Sequence, residues 1–264
     1  MKPVTLTTLR EMKQAGKKIT CLTAYDYSFA SLLDRVGLDT IMVGDSLGMT
    51  IQGHASTLPV TIDDMAYHCQ CVARGVTHAL IIGDLPFGSY QVSPEQAFAN
   101  AAILMQAGAQ VVKLEGGAPM VETVRFLVER GVPVCAHLGL TPQSVHQLGG
   151  YRVQARAADA AQRLRDDAKQ MEAAGASLLV LEAIPAALAK TISAELSLVT
   201  IGIGAGVATD GQVLVLQDML GLYPRPSPKF SKNFMQGAES IEAAIKLYVE
   251  AVRGGTFPSS EHSY

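Results

Sequence analysis

Four hydrophobic runs in this chain end in an acidic residue. Ile41-Met42-Val43-Gly44 leads into Asp45, and Leu80-Ile81-Ile82-Gly83 into Asp84. Val111-Val112-Lys113-Leu114 leads into Glu115, and Leu178-Leu179-Val180-Leu181 into Glu182. Each run has the length and β-branched character of a strand buried on both faces, as in a parallel sheet. In a βα barrel the carboxyl ends of the strands form the active face. Carboxylates converging there repel one another unless something compensates. A hard divalent cation with oxygen ligands is the simplest compensation.

The rest of the chain follows the same alternation. Strands are expected over 19–25, 40–46, 80–85, 111–116, 132–138, 178–183, 198–204 and 212–218. Helices are expected over 62–74, 94–107, 155–174, 185–195 and 238–252. Thr61 is a good N-cap for the first of these helices. Ser93-Pro94-Glu95 opens the second with an N-cap and a proline at the first helical position. The third carries Ala157, Ala161, Leu164, Ala168 and Met171 on one face and stops at Gly175. Eight strands with helices between them predict an α/β fold, a (βα)8 TIM barrel, with residues 1–264 as a single domain. The last two strands resist this reading. Only about eight residues separate them, fewer than a parallel crossover normally needs. Either that crossover is abbreviated or the eighth strand is a helix. A doubly wound open sheet is the alternative, though no glycine-rich fingerprint follows the first strand.

Composition removes several function classes. The chain of 264 residues is 48% hydrophobic, enough for a sizeable core. Twenty-one basic and 24 acidic residues give a net charge of −3, with no basic block to meet nucleic acid or an anionic membrane. No apolar run approaches a membrane span. The start, Met1-Lys2-Pro3-Val4-Thr5, has no signal-peptide character, so a cytoplasmic location is expected. Cys21, Cys69, Cys71 and Cys135 are scattered and read as small buried hydrophobes rather than as a disulfide framework.

Strand residues two apart share a face. If Glu115 faces the barrel mouth, so does Lys113, and His137 joins them if 132–137 keeps its alternation. Asp45 and Asp84 end neighbouring strands, so they can share one ion. Magnesium takes one or two carboxylates directly and leaves positions for a bidentate substrate. Glu115 is a third ligand or acts through water. Lys113 either holds a substrate carboxylate or neutralises its acidic neighbours. A Schiff base is disfavoured, because nearby carboxylates raise the pKa of a lysine. Glu182 lies across the barrel from the ion, where an apolar wall would suit a general base. A carboxylate simply starting the next helix is the competing reading. His137 either hydrogen-bonds a substrate oxygen or is structural. Ser46 has no triad partner and reads as an anion contact. The glycines of Ile201-Gly202-Ile203-Gly204-Ala205-Gly206 either bind phosphate or permit close packing. The rigid, basic Tyr223–Phe230 segment is a lid, an oligomer contact or a solvated loop.

Several stretches, in order, carry a resemblance to the ketopantoate hydroxymethyltransferase family. They are Gly44-Asp45-Ser46-Leu47-Gly48-Met49, Asp63-Asp64-Met65-Ala66-Tyr67-His68 and Asp84-Leu85-Pro86-Phe87-Gly88-Ser89-Tyr90. They continue with Lys113-Leu114-Glu115-Gly116-Gly117, His137-Leu138-Gly139-Leu140-Thr141-Pro142-Gln143, Glu182-Ala183-Ile184-Pro185 and the glycine run. Asp210-Gly211-Gln212-Val213-Leu214-Val215 and Lys229-Phe230 complete the match. The resemblance implies a (βα)8 barrel assembled as a homo-oligomer, typically a decamer. It implies transfer of a hydroxymethyl group from 5,10-methylenetetrahydrofolate to 3-methyl-2-oxobutanoate, giving 2-dehydropantoate in pantothenate biosynthesis. By motif match, Asp45, Asp84 and Glu115 are expected to hold Mg2+. Asp45, Ser46, Asp84, Lys113 and His137 are expected to contact the keto acid, and Glu182 to accept a proton. Folate is implied by the resemblance alone. The rivals are another magnesium barrel acting on keto acids without folate, and a non-catalytic barrel that binds an anion.

Overall fold

The computed structural model describes residues 2–222, 224 and 226–264. Among them, eight parallel strands close into a barrel in sequence order, with the last strand paired to the first. The strands are β1 (Ile19–Thr23), β2 (Thr40–Val43), β3 (Leu80–Asp84) and β4 (Val111–Glu115), followed by β5 (Val134–Gly139), β6 (Leu178–Glu182), β7 (Val199–Ile203) and β8 (Gly211–Leu214). Nearly every strand residue is buried, as expected where helices cover one face and side chains fill the other. The (βα)8 expectation therefore holds, and the open sheet does not.

Each strand is shorter than its pattern suggests, β2 and β8 by the most. β2 stops at Val43, so Asp45 stands on the turn beyond the strand rather than within its alternation. β8 stops at Leu214 and a short helix begins at Leu216, so 212–218 is part strand and part helix.

The helices are α1 (Leu6–Gln14), α2 (Tyr27–Val36), α3 (Leu47–Thr50), α4 (Ile62–Ala73), α5 (Pro94–Gln106) and α6 (Val121–Glu129). They continue with α7 (Val145–Leu148), α8 (Ala158–Ala173), α9 (Ala186–Glu195), α10 (Leu216–Met219) and α11 (Ile241–Arg253). The caps behave as the sequence predicts. Thr61 accepts from Asp64 N in a capping box, and Ser93 accepts from Gln96 N with Pro94 at the first position. α8 buries Leu164, Ala168 and Met171, although Ala157 stays outside it as the N-cap residue. The cysteine thiols are free. Cys21, Cys69 and Cys135 are buried, and Cys71 is half-buried. α11 covers the seam where the barrel closes. The Tyr248 hydroxyl reaches Cys21 O on β1 at 2.8 Å and Gln212 O on β8 at 3.0 Å. Phe234 and Phe257 pack edge-on around the same ring.

The short β7–β8 crossover is real, and it carries no helix. An acidic side chain at its foot supplies part of the fixing that a covering helix would give. Asp210 accepts from Thr200 N and Thr200 Oγ1 on β7, each at 2.8 Å, and from Lys13 Nζ of α1 at 2.8 Å. Lys13 also donates to Ser193 O and Leu198 O. The same device recurs at the base of the barrel. Asp39, before β2, accepts from Thr20 N and Thr20 Oγ1 on β1, and Gln110, before β4, accepts from Ile81 N on β3. Each clamp fixes one strand to the foot of the next, which sets the register above it. Asp210→Ala leaves Thr200 N without its acceptor and Lys13 without its charged partner. It should lower unfolding stability by about 2–3 kcal/mol in urea titrations, with Asp210→Asn losing less. A change within about 0.5 kcal/mol, the range of an unremarkable surface substitution, would show that the clamp is dispensable.

Candidate active site at the barrel mouth

The register assembles the site. Asp84 on β3 pairs with Lys113 on β4, Glu115 on β4 with His137 on β5, and Gly139 on β5 with Glu182 on β6. These side chains, with Asp45 and Ser46 from the turn after β2, line one cavity of about 570 Å3 at the carboxyl end of the barrel. Every sequence-predicted site residue is brought to this place.

A chain of contacts runs through the mouth. Lys113 Nζ lies 2.8 Å from Asp84 Oδ2 and 4.0 Å from Glu115 Oε1. The same Asp84 oxygen accepts from Asp45 N at 3.2 Å. The His137 ring stands between two carboxylates, with Nδ1 3.5 Å from Glu115 Oε1 and Nε2 3.2 Å from Glu182 Oε2. Neither His137 contact has hydrogen-bond geometry. The wall around Glu182 is therefore not purely apolar, as its sequence setting suggests, because an imidazole sits against it. Ser46 Oγ is 2.8 Å from the Tyr25 hydroxyl. Gly139 is required where it stands: its φ is +97°, and a Cβ there would lie 2.2 Å from Glu182 O.

The sequence reading missed the residue that ties the acids together. Gln143 donates from Nε2 to Asp45 Oδ2 at 2.9 Å and to Leu85 O at 3.0 Å, and its backbone N–H donates to Glu115 Oε2 at 3.0 Å. Its Oε1 accepts from the Tyr90 hydroxyl at 2.6 Å, which in turn accepts from Glu115 N at 3.1 Å. Both residues lie within the matching stretches quoted above, but neither charge nor strand periodicity marks them. The C-terminal tail was equally silent. Tyr264 lines the cavity, and its carbonyl accepts from Ala186 N. The Tyr223–Phe230 segment reaches the site through Pro226, Pro228, Lys229 and Phe230, while Tyr223 and Arg225 lie outside the described residues. The glycines at the end of β7 and just beyond it serve packing. A Cβ on Gly202 would meet Thr209, on Gly204 Phe230, and on Gly206 Ala186.

Electrostatics follow from burial and crowding. Burial raises Asp45 to about 7, and the charges of Asp84 and Glu115 add to it. Burial also raises Asp84, against the pull of Lys113. Burial alone would lower Lys113, but Asp84, Glu115 and Asp45 outweigh it and hold the ammonium charged. A charged lysine is no nucleophile, which argues against a Schiff base here. Burial would lower His137 as well, yet Glu115 and Glu182 lift it to about 9. Burial opposes the Glu115 charge, and His137, Lys113 and the Gln143 amide overcome it, so this carboxyl titrates below its usual range.

The donor set suits a hard cation. It is all oxygen, and Asp84 Oδ1 and Glu115 Oε1 are buried without a hydrogen-bond partner. Among the described residues no three His, Cys, Asp or Glu side chains already surround a common point. An ion here would take one or two carboxylates and draw the rest of its shell from water and substrate, which is the habit of magnesium.

A pH test isolates His137 in chelator. Its pKa is raised on folding, from 6.5 to about 9. The stability it contributes is complete below about 6.5 and is lost as pH rises through about 9. The stability difference between the wild type and His137→Gln should therefore shrink over that window in denaturant titrations. A difference that grows with pH would contradict the charged ring.

The sequence profile of the ketopantoate hydroxymethyltransferase family matches residues 3–260. A 3-methyl-2-oxobutanoate hydroxymethyltransferase of Methylobacillus flagellatus is 64% identical over 259 residues, covering 98% of this chain and 99% of that protein. One from Thiobacillus denitrificans is 63% identical, covering 99% of this chain and 100% of the relative. Among solved structures, phosphonopyruvate hydrolase superposes with a TM-score of 0.61 at 12% identity, covering 83% of each chain. That likeness shows the barrel fold alone.

Proposed function

The chain belongs to the ketopantoate hydroxymethyltransferase family and is a hydroxymethyltransferase of pantothenate biosynthesis acting on 3-methyl-2-oxobutanoate, and we propose how its barrel mouth performs the transfer. The observation that carries the mechanism is the pairing of two environments in one cavity. Carboxylate oxygens of Asp84 and Glu115 that accept no hydrogen bond lie on one side, and Glu182 lies on the other, with the His137 ring between Glu115 and Glu182.

In this reading Asp45 and Asp84 hold Mg2+, with Glu115 beside them as a direct ligand or through water. When bound, the ion supplies Lewis-acid stabilisation of the negative charge that develops on the keto oxygen. A 2-keto acid suits such a site, because its carboxylate and keto oxygens form a bidentate pair. Lys113 stays charged and attracts the substrate carboxylate as a point charge. Ser46, at the start of α3, offers its hydroxyl and backbone amide to the same end of the molecule. His137 lines the keto acid's compartment, with Nε2 3.2 Å from Glu182 Oε2. Glu182 then removes the proton on C3 as general base. The resulting enolate carbon attacks the one-carbon unit carried by 5,10-methylenetetrahydrofolate. One water enters over the whole reaction and supplies the hydroxyl of 2-dehydropantoate, and tetrahydrofolate leaves. The folate donor, a cytoplasmic location and a homodecameric assembly belong to the same proposal, and family membership supports them. Among the described residues no helix is long and apolar enough to cross a membrane.

Proton NMR of 3-methyl-2-oxobutanoate in deuterated buffer tests this mechanism. The methyl doublet should collapse to a singlet as C3 exchanges. Exchange should stop with chelator and fall at least about 100-fold in Glu182→Gln. Exchange that survives both would remove Glu182 and the cation from the chemistry.

A further inference from the structure

The mechanism above uses the acids on β2 to β6. The same cavity continues past the ends of β1 and β8, where Thr23, Val213, Val215 and Asp218 line it beneath Pro228 and Phe230. Its volume of about 570 Å3 lies in the range of sites for much larger ligands than a five-carbon keto acid.

Asp218 stands out in this part of the wall. It sits on α10, is 8% exposed, and its Oδ1 is buried with no hydrogen-bond partner. Neither Thr23 nor Lys229, the polar side chains on this part of the wall, has a hydrogen bond to Asp218. Thr23 Oγ1 accepts from Leu216 N, and Lys229 Nζ is turned to Ser263 O and the face of Tyr264. Burial by itself raises the Asp218 carboxyl to about 6. Thr57 Oγ1 is also unclaimed on the cavity wall, but a hydroxyl is easily served by one water. A carboxylate only accepts, and leaving it buried without donors destabilises the fold. A ligand that carries the donors removes that cost. The keto acid cannot be that ligand, since it has no N–H and its own carboxylate would be repelled.

We propose that Asp218 binds the donor edge of the one-carbon carrier's ring, the ring N–H and adjacent exocyclic amine of a 2-amino-4-oxopyrimidine. This rests on the reading that a reduced folate is the co-substrate. Two neighbouring N–H groups on a planar ring match the fork of a carboxylate. The apolar surfaces of Val213, Val215, Pro228 and Phe230 suit the faces of such a ring.

Steady-state kinetics on Asp218→Asn and Asp218→Ala, with 5,10-methylenetetrahydrofolate and its 2-desamino analogue, test the assignment. C3 exchange without folate serves as the check that each variant is folded. The expected result is a KM for the parent folate raised at least about tenfold in both variants, with the KM for the keto acid unchanged. The wild type should favour the parent over the 2-desamino compound by a similar factor, and neither variant should discriminate. Variants that bind the parent folate like the wild type, that keep the discrimination, or that lose affinity for the keto acid instead would overturn the Asp218 assignment alone. Failure of the wild type to exchange C3 would overturn the functional reading, and this assignment with it.

Discussion

The ion pair between Lys113 and Asp84, 2.8 Å apart and almost sealed from solvent, is the interaction on which the mouth depends. A buried carboxylate is tolerated only when paired and hydrogen-bonded. Here three acids crowd one lysine, so the lysine cannot satisfy them all. His137 takes part of the remainder by standing charged between Glu115 and Glu182. What is left is a pair of buried oxygens, Asp84 Oδ1 and Glu115 Oε1, that no protein group hydrogen-bonds. The barrel thus maintains a negative imbalance at one point, in a place where a cation and a bidentate substrate can enter together.

Holding that imbalance requires rigidity, and two layers provide it. At the base, Asp39, Gln110 and Asp210 clamp strand to strand and fix the register. At the mouth, Gln143 bridges Asp45 and Tyr90 through its side chain while its backbone holds Glu115. The acids are thereby kept from drifting toward solvent or toward the lysine, either of which would quench the site.

Much of the barrel was legible because its strands are continuous apolar runs with chemistry at their ends. The acids at 84, 115 and 182 fall on strand termini, where period-two reasoning places them correctly. Asp45 was found for a less exact reason, since the turn after Val43, not strand alternation, delivers it. α2 went unremarked although Asp26 caps it and Gly37 ends it in a left-handed conformation. Gln143, Tyr90 and Asp218 were invisible for a deeper reason. Their importance lies in hydrogen bonds, made or missing, to groups far along the chain, and no local pattern encodes those. The short β7–β8 connection left open an abbreviated crossover or a helical eighth segment; the crossover is abbreviated, and Lys13, almost two hundred residues away, helps to hold its foot.

We propose that the carboxylates of the mouth form a cation site completed by substrate. Electron paramagnetic resonance of free Mn2+, titrated with the protein in the presence of 3-methyl-2-oxobutanoate, measures this directly. One Mn2+ should bind per chain, with Mg2+ competing, and binding should be abolished in Asp84→Asn and retained in Glu182→Gln. Binding that is absent from the wild type, or unchanged in Asp84→Asn, would contradict it.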